Sequence, residues 1–286
     1  MIDGVMLLWF ILTAASVLFV ALDIRTTPES PVLKWGFVLL TAYTGPVGAF
    51  LYVLGCREPL PGLHERYVAV RWRQVLGSTM HCVAGDGVGI PAGAVIAMIS
   101  GLSGFADIAL EYVLGFGFGW SIFQALFMRD MAGGSYLKSL TGTFIPELLS
   151  MNCLMAGMVP VMTVVMHHFP DSHNVLSPAF WFVMSMALLV GFITAYPINW
   201  WLVSNHLKHG MMTVRSSGAP DIDPAHEHTG ENHSAGQGTA TSQAGHEAMM
   251  HGMAKSVSRS NLIWMTLLSF LVFALGLGIA VLFGGL

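Results

Sequence analysis

The sequence predicts an all-α integral membrane protein of about seven transmembrane helices, with a long His-rich loop before the last of them. Three observations carry that prediction. Hydrophobic residues make up 54% of the chain and charged residues only 10%, against roughly 25% charged in a soluble domain. Mean hydropathy is +0.66. Seven stretches also reach the roughly 20 mostly apolar residues that a bilayer crossing needs.

The stretches are 4–22, 34–55, 75–100, 104–128, 144–166, 178–203 and 261–283. They leave no room for a separate soluble domain. The organisation reads as a six-helix membrane region over 1–204, a cytoplasmic loop over 205–260 and a final helix over 261–286. The first stretch follows Met1-Ile2-Asp3, with no basic residues before it and no small-residue cleavage site after it, so it reads as a retained helix. Cys56, Cys82 and Cys153 are too few and too scattered for a disulfide framework.

Twelve Lys and Arg residues set the expected orientation through the excess of positive charge on cytoplasmic loops. With seven crossings and a cytoplasmic N-terminus, Arg57, Arg66, Arg71, Arg73, Arg129, Lys138, Lys208, Arg215, Lys255 and Arg259 fall inside. Only Arg25 and Lys34 then fall outside. The expected location is the cytoplasmic (inner) membrane with the N-terminus inside. One local signal runs the other way, because the first helix has Asp3 before it and Arg25 after it.

The third stretch carries the first chemistry, Met80-His81-Cys82 followed by Gly85-Asp86-Gly87. A carboxylate near the middle of a span costs several kcal/mol without a partner, which makes Asp86 a functional candidate. Cys82 and Asp86 are four residues apart and share a helix face, whereas His81 is about 100° round and joins them only if the helix unwinds. Gly85, Gly87, Gly89 and Pro91 leave that unwinding open. The same glycines, with Gly93 and Ala97, also form the four-residue stripe of closely packed membrane helices.

The fourth stretch holds Asp107 and Glu111 one turn apart, either a cation-capturing pair or charges reaching the interface, the second being the ordinary reading. In the fifth, Glu147, Met151, Met155, Met158 and Met162 lie along one face, with His167 and His168 at the outer end. Thioether sulfur is a soft ligand suited to Cu(I), although methionine is also an adaptable core filler. The sixth stretch ends in Tyr196-Pro197-Ile198-Asn199-Trp200-Trp201, a kinked helix end with interfacial aromatics.

The loop holds His226, His228, His233, His246 and His251, with Met249, Met250 and Met253. Residues 216–256 contain no aromatic residue and one large aliphatic, Ile222, a composition expected to stay disordered. Its histidines suit weak, exchangeable binding of copper, zinc or nickel, and no spacing fits a closed zinc site.

At these residues the sequence resembles a bacterial multi-pass membrane family catalogued as domain of unknown function 4396. The matching pieces are His81-Cys82-x-x-Gly85, the aromatic and glycine stretch 112–123, Glu147-x-x-Ser150-Met151 with Gly157-Met158, and Gly191-Phe192 through Trp201. The resemblance covers 71–212. It implies a second cysteine where this chain has Asp86, so a thiol pair has become a thiol–carboxylate pair that favours harder ions. The family has no established activity.

These readings point to a membrane protein that binds and transports a transition-metal cation, with copper first and zinc or nickel behind. His81, Cys82 and Asp86 would form the midplane site, the methionine face a soft path, and His167, His168 and His173 an outer capture point. The rivals are a non-transporting accessory or assembly factor for a metalloenzyme and an organic-solute permease. The expected partners are the lipid bilayer, the metal ion and a membrane or metallochaperone protein. No enzymatic activity, haem, nucleotide or nucleic acid is expected, because no phosphate-binding loop is present and His81 is the only histidine well inside a stretch.

Overall fold

The computed structural model describes residues 2–58, 60, 62–129, 134–211 and 257–284, and among these the regular elements are all helices. Six helices are long and apolar enough to cross a membrane. Helix α1 spans Ile2–Asp23. After a short re-entrant segment, α5 runs Arg71–Ser100 and α6 runs Phe105–Phe118. The α6 helix continues as a π-helix, Gly119–Gln124, and a last turn α7, Ala125–Met128. Helix α8 is Tyr136–His168, α9 is Pro178–Ser204 and α10 is Arg259–Gly284. Six of the seven expected stretches therefore correspond to crossings.

The stretch 34–55 does not cross. It forms two helices, α2 (Pro31–Thr44) and α3 (Pro46–Gly55), separated by Gly45 at φ 59°. Pro46 cannot continue the ladder of α2, and the positive φ at Gly45 turns the chain back on itself. At 1.5 Å per residue, the 14 residues of α2 reach about 21 Å, short of the roughly 30 Å hydrocarbon core. The tip packs against α1, where a Cβ on Gly45 would come 2.6 Å from Thr13 Oγ1.

The two legs meet again at their base. Phe37 and Tyr52 pack edge to face with centroids 5.6 Å apart. The Tyr52 hydroxyl donates to Asp23 Oδ2 at 2.8 Å, and Arg57 pairs with Asp23 at 2.9 Å. Both ends of the hairpin therefore sit beside the C-terminal end of α1. The short α4 (His64–Val68) leads from there into α5, and Arg73 of α5 donates to the Leu54 carbonyl at 3.2 Å.

From this face the remaining helices go out and back. The glycine stripe of α5 lies against α6 and its π-helix in antiparallel register. A Cβ on Gly85 would meet Gly119 Cα at 2.6 Å, one on Gly89 the Leu114 carbonyl oxygen at 2.2 Å, and one on Gly93 Glu111 Cα at 2.7 Å. Close packing is thus what the stripe provides. The unwinding that Gly85–Pro91 left open does not occur, since α5 stays helical throughout with Pro91 inside it. The irregularity falls in the next crossing, as the π-helix.

Helices α8 and α9 are also antiparallel, with Gly157 against Thr194 and Gly191 against Leu154. Helix α10 runs alongside α8 in the same direction, with Gly276 against Ala156 and Gly284 against Thr163. Asn152 of α8 donates to Ser269 of α10 at 3.0 Å and accepts from Tyr112 of α6 at 2.7 Å. Helices α5 and α8 form the buried centre, while α1 and α10 present mostly apolar side chains outward.

With six crossings and a hairpin, the described basic residues share one face. Arg25, Lys34, Arg57, Arg66, Arg71, Arg73, Arg129, Lys138, Lys208 and Arg259 all lie in or beside the helix ends on that face. The other two, Arg215 and Lys255, lie outside the described residues, as does the loop with His226, His228, His233, His246 and His251.

Candidate functional site

The chain after α9 does not leave the bundle at once. Residues 205–211 turn inward through His206, at φ 56°, and Gln74 donates to the Met211 carbonyl at 2.9 Å. Gly77 and Gly210 make room, since a Cβ on either would collide with Met211 or Gln74. This inward turn carries Lys208 into the interior, where it is 3% exposed.

Lys208 Nζ donates to Cys82 Sγ, to Ser150 Oγ at 2.9 Å and to Asn199 Oδ1 at 3.1 Å. It also pairs with Glu147 Oε2 at 3.0 Å, with both side chains sealed from solvent. Burial works against its charge, but the neighbouring Cys82 and Glu147 outweigh that and hold the ammonium above its ordinary range. Cys82 in turn donates to Glu147 Oε2 at 3.0 Å, and Ser150 donates to Asn199 Oδ1 at 2.9 Å. Four segments thus converge on one ammonium: α5, α8, α9 and the inward turn.

The other side of the cluster is acidic. A Cβ on Gly119 would fall 2.1 Å from Asp86 Oδ1 and 2.8 Å from Glu147 Oε1, so both carboxylates face the same point of the π-helix. Both Asp86 oxygens and Glu147 Oε1 are buried with no hydrogen-bond partner among the described residues. Two carboxylates and one ammonium leave the cluster one negative charge in excess. A low-dielectric interior does not tolerate that charge without a proton or a bound cation.

The expected residues therefore divide. Cys82, Asp86 and Glu147 come together, with Cys82 and Asp86 on one face of α5 as their spacing requires. His81 is buried at 1% exposure and, because α5 stays helical, lies one residue round from that face. Lys208, Ser150, Asn199 and Gly119 were not among the expected site residues, although Ser150 and Asn199 stand in the motifs that carry the family resemblance. Lys208 read as a loop charge, since nothing in His206-Leu207-Lys208-His209 signals that the chain folds back inward.

Met151, Met155 and Met158 are fully buried and continue upward from Glu147, followed by Met162 and Met166. From Glu147 to Met166 the rise is about 28 Å, close to the thickness of the hydrocarbon core. The column ends in a cavity of about 440 Å³ on the face opposite the basic residues, lined by Asp107, Glu111, Met162, Met166 and His173 among others. Glu111 is 1% exposed and so does not reach the interface, contrary to the ordinary reading of its spacing. Asp107 Oδ1 and Glu111 Oε2 have no hydrogen-bond partner among the described residues. His167 and His168 are exposed at the end of α8.

No curated protein and no solved structure is detectably similar to this chain. Residues 71–208 match the family model described as Domain of unknown function (DUF4396). The match starts on the first residue of α5 and ends on Lys208, so it encloses the whole polar cluster. The chain is a multi-pass membrane protein whose central four crossings match the model of this domain.

Proposed function

We propose that the protein is a cation carrier of the cytoplasmic membrane, with Cys82, Asp86 and Glu147 as the internal binding site and Lys208 as the tethered cation that closes it. The observation that carries this reading is the charge count of the buried cluster, two carboxylates against one ammonium with three carboxylate oxygens unbonded. A proton or a monovalent cation balances it, a divalent ion does so once Cys82 also gives up its proton, and exchange of proton for metal is the coupling the site offers. The thiol of Cys82 and the thioethers of Met151, Met155, Met158 and Met162 favour a soft ion, so copper as Cu(I) comes first and zinc or nickel behind. The cavity at Asp107, Glu111 and His173 is the other end of the path. No covalent step is part of this reading.

The shared face of the basic residues bears on orientation. With that face cytoplasmic, as the charge rule prefers, both chain termini lie outside and the charges after α1 need no exception. This reverses the expected placement of the N-terminus, which depended on a crossing by 34–55. Compartment-specific reporters fused to either terminus would report the outer side. A cytoplasmic signal from both fusions would sink this orientation.

The fully packed Met155 and Met158 favour one second reading, a non-transporting accessory protein that uses the same ligands to hold an ion. Metal content of detergent-purified wild type, the Cys82→Ser/Asp86→Asn variant and a 216–256 deletion tests the binding step. About one copper per chain, lost only in the double variant, supports the internal site. No metal in any sample after supplementation sinks it. Uptake of copper into reconstituted vesicles then separates a carrier from an accessory protein.

A further inference from the structure

A second set of ligands lies outside the family domain, at the base of the re-entrant hairpin. Glu29 ends the loop between α1 and α2, Cys56 caps the C-terminal end of α3, and His64 opens α4. They are 4%, 0% and 0% exposed. A carboxylate oxygen, an imidazole nitrogen and a thiol sulfur from these three residues all lie within 4.8 Å of one another.

His64 Nε2 stands 3.6 Å from Glu29 Oε1, within ion-pair reach. Metal–ligand bonds of about 2.0–2.3 Å in a tetrahedron place neighbouring ligand atoms roughly 3.3–3.8 Å apart. Oxygen, nitrogen and thiolate ligands together are the set that zinc accepts, and three protein ligands leave one position for water or another donor. The Nε2–H of His64 also donates to the Cys56 carbonyl oxygen at 3.2 Å, so ligation through this nitrogen takes the place of that bond and releases its proton. A cleft of about 330 Å³ on the basic face is lined by Thr27 and Arg57, two residues before Glu29 and one after Cys56 in the chain, with Asp23 and Glu58.

We propose that Glu29, Cys56 and His64 form a site for one divalent transition-metal ion, zinc first, that ties the α1–α2 loop, the returning leg of the hairpin and α4 into one unit. The site is independent of the carrier reading, because it shares no residue with the Cys82 cluster.

Cobalt(II) tests it in purified full-length protein, because a thiolate ligand to cobalt gives a near-ultraviolet charge-transfer band that His and carboxylate ligands lack. The His-rich loop contains no cysteine, so its binding stays silent in that band. About one equivalent of cobalt should develop the band in wild type and in Cys82→Ser/Asp86→Asn, and zinc should bleach it. Cys56→Ser should abolish it. Glu29→Gln and His64→Gln should weaken zinc competition on the order of tenfold or more, at least the loss seen when a supporting group is removed. Zinc should also raise the melting temperature of wild type and leave Cys56→Ser unmoved. The proposal is overturned if monodisperse wild type shows no band. It is overturned equally if the band survives Cys56→Ser or disappears in the Cys82 variant. If Cys56→Ser fails to fold, unchanged zinc competition in Glu29→Gln and His64→Gln overturns it on its own.

Discussion

The two ends of the methionine column hold the same kind of group in opposite states. At the basic-face end, Asp86 and Glu147 share a sealed interior with an ammonium, and Lys208 fills the space between Cys82, Ser150, Asn199 and Glu147. At the other end, Asp107 and Glu111 line an open cavity with no Lys or Arg among the described residues of its walls. Asp107 and Glu111 pair through the spacing of one helix and Asp86 and Glu147 through the packing of α5 and α8, but the difference in state comes from what the chain brings opposite them. A carboxylate pair beside an empty volume collects cations, while one that already holds a tethered cation releases its place only in exchange. The contrast teaches that the lysine, not the acids, distinguishes a closed site from an open one.

The largest expected effect follows from breaking that distinction. Lys208→Met leaves Glu147 and Asp86 buried without their ammonium, and losing one partner of a buried ion pair costs about 3–5 kcal/mol. Yield of monodisperse protein and the melting temperature should both fall sharply. Adding Glu147→Gln to Lys208→Met should recover most of the loss, because the neutral pair no longer strands a charge. Equal melting temperatures for wild type and Lys208→Met would show that the ammonium is not balancing the cluster.

An intermediate effect sharpens the geometry. Gly119→Ala puts a methyl group within 3 Å of both Asp86 Oδ1 and Glu147 Oε1, and overpacking of this kind costs about 1–3 kcal/mol. Gly117 is the control, because a Cβ there meets nothing within 4 Å. Gly117→Ala should be neutral or slightly stabilising in the same thermal melts, since glycine is a poor helix residue by about 0.5–1 kcal/mol. Identical behaviour of the two variants would mean that the carboxylates do not face the π-helix.

The smallest effect on stability, and a specific one on uptake, belongs to the open end. Glu111→Gln should leave the melting temperature nearly unchanged. It should lower the apparent affinity for copper in vesicle uptake by about tenfold, equivalent to about 1.4 kcal/mol of lost attraction. Uptake with wild-type affinity would remove the cavity from the path.

Much of this fold was legible because lipid imposes a simple rule on sequence. Long apolar stretches in six places became crossings, and the four-residue glycine stripe of α5 became a helix contact, as small residues do. The stretch 34–55 misled because its length and hydropathy match a crossing. What decides its course is the positive φ at Gly45 beside Pro46, a local turn that a hydropathy window averages away. At the site, Cys82, Asp86 and Glu147 were visible as polar groups where apolar ones belong. Lys208 was not, because a lysine just past a helix end looks like every other interfacial charge. Only the tertiary fold, in which Gly77 and Gly210 admit the inward turn, makes it interior. Ser150 and Asn199 stood in recognisable motifs but had no visible partner until that ammonium arrived.

The hairpin that fails to cross has a consequence for how such a chain can be assembled from parts. The central domain starts at Arg71 and ends at Lys208 on one face after an even number of crossings, so its orientation is closed within itself. The helix-plus-hairpin block before it and the single helix after it each add one crossing at an edge. Each appendage therefore decides on which side a terminus lies, while the core itself begins and ends on the basic face.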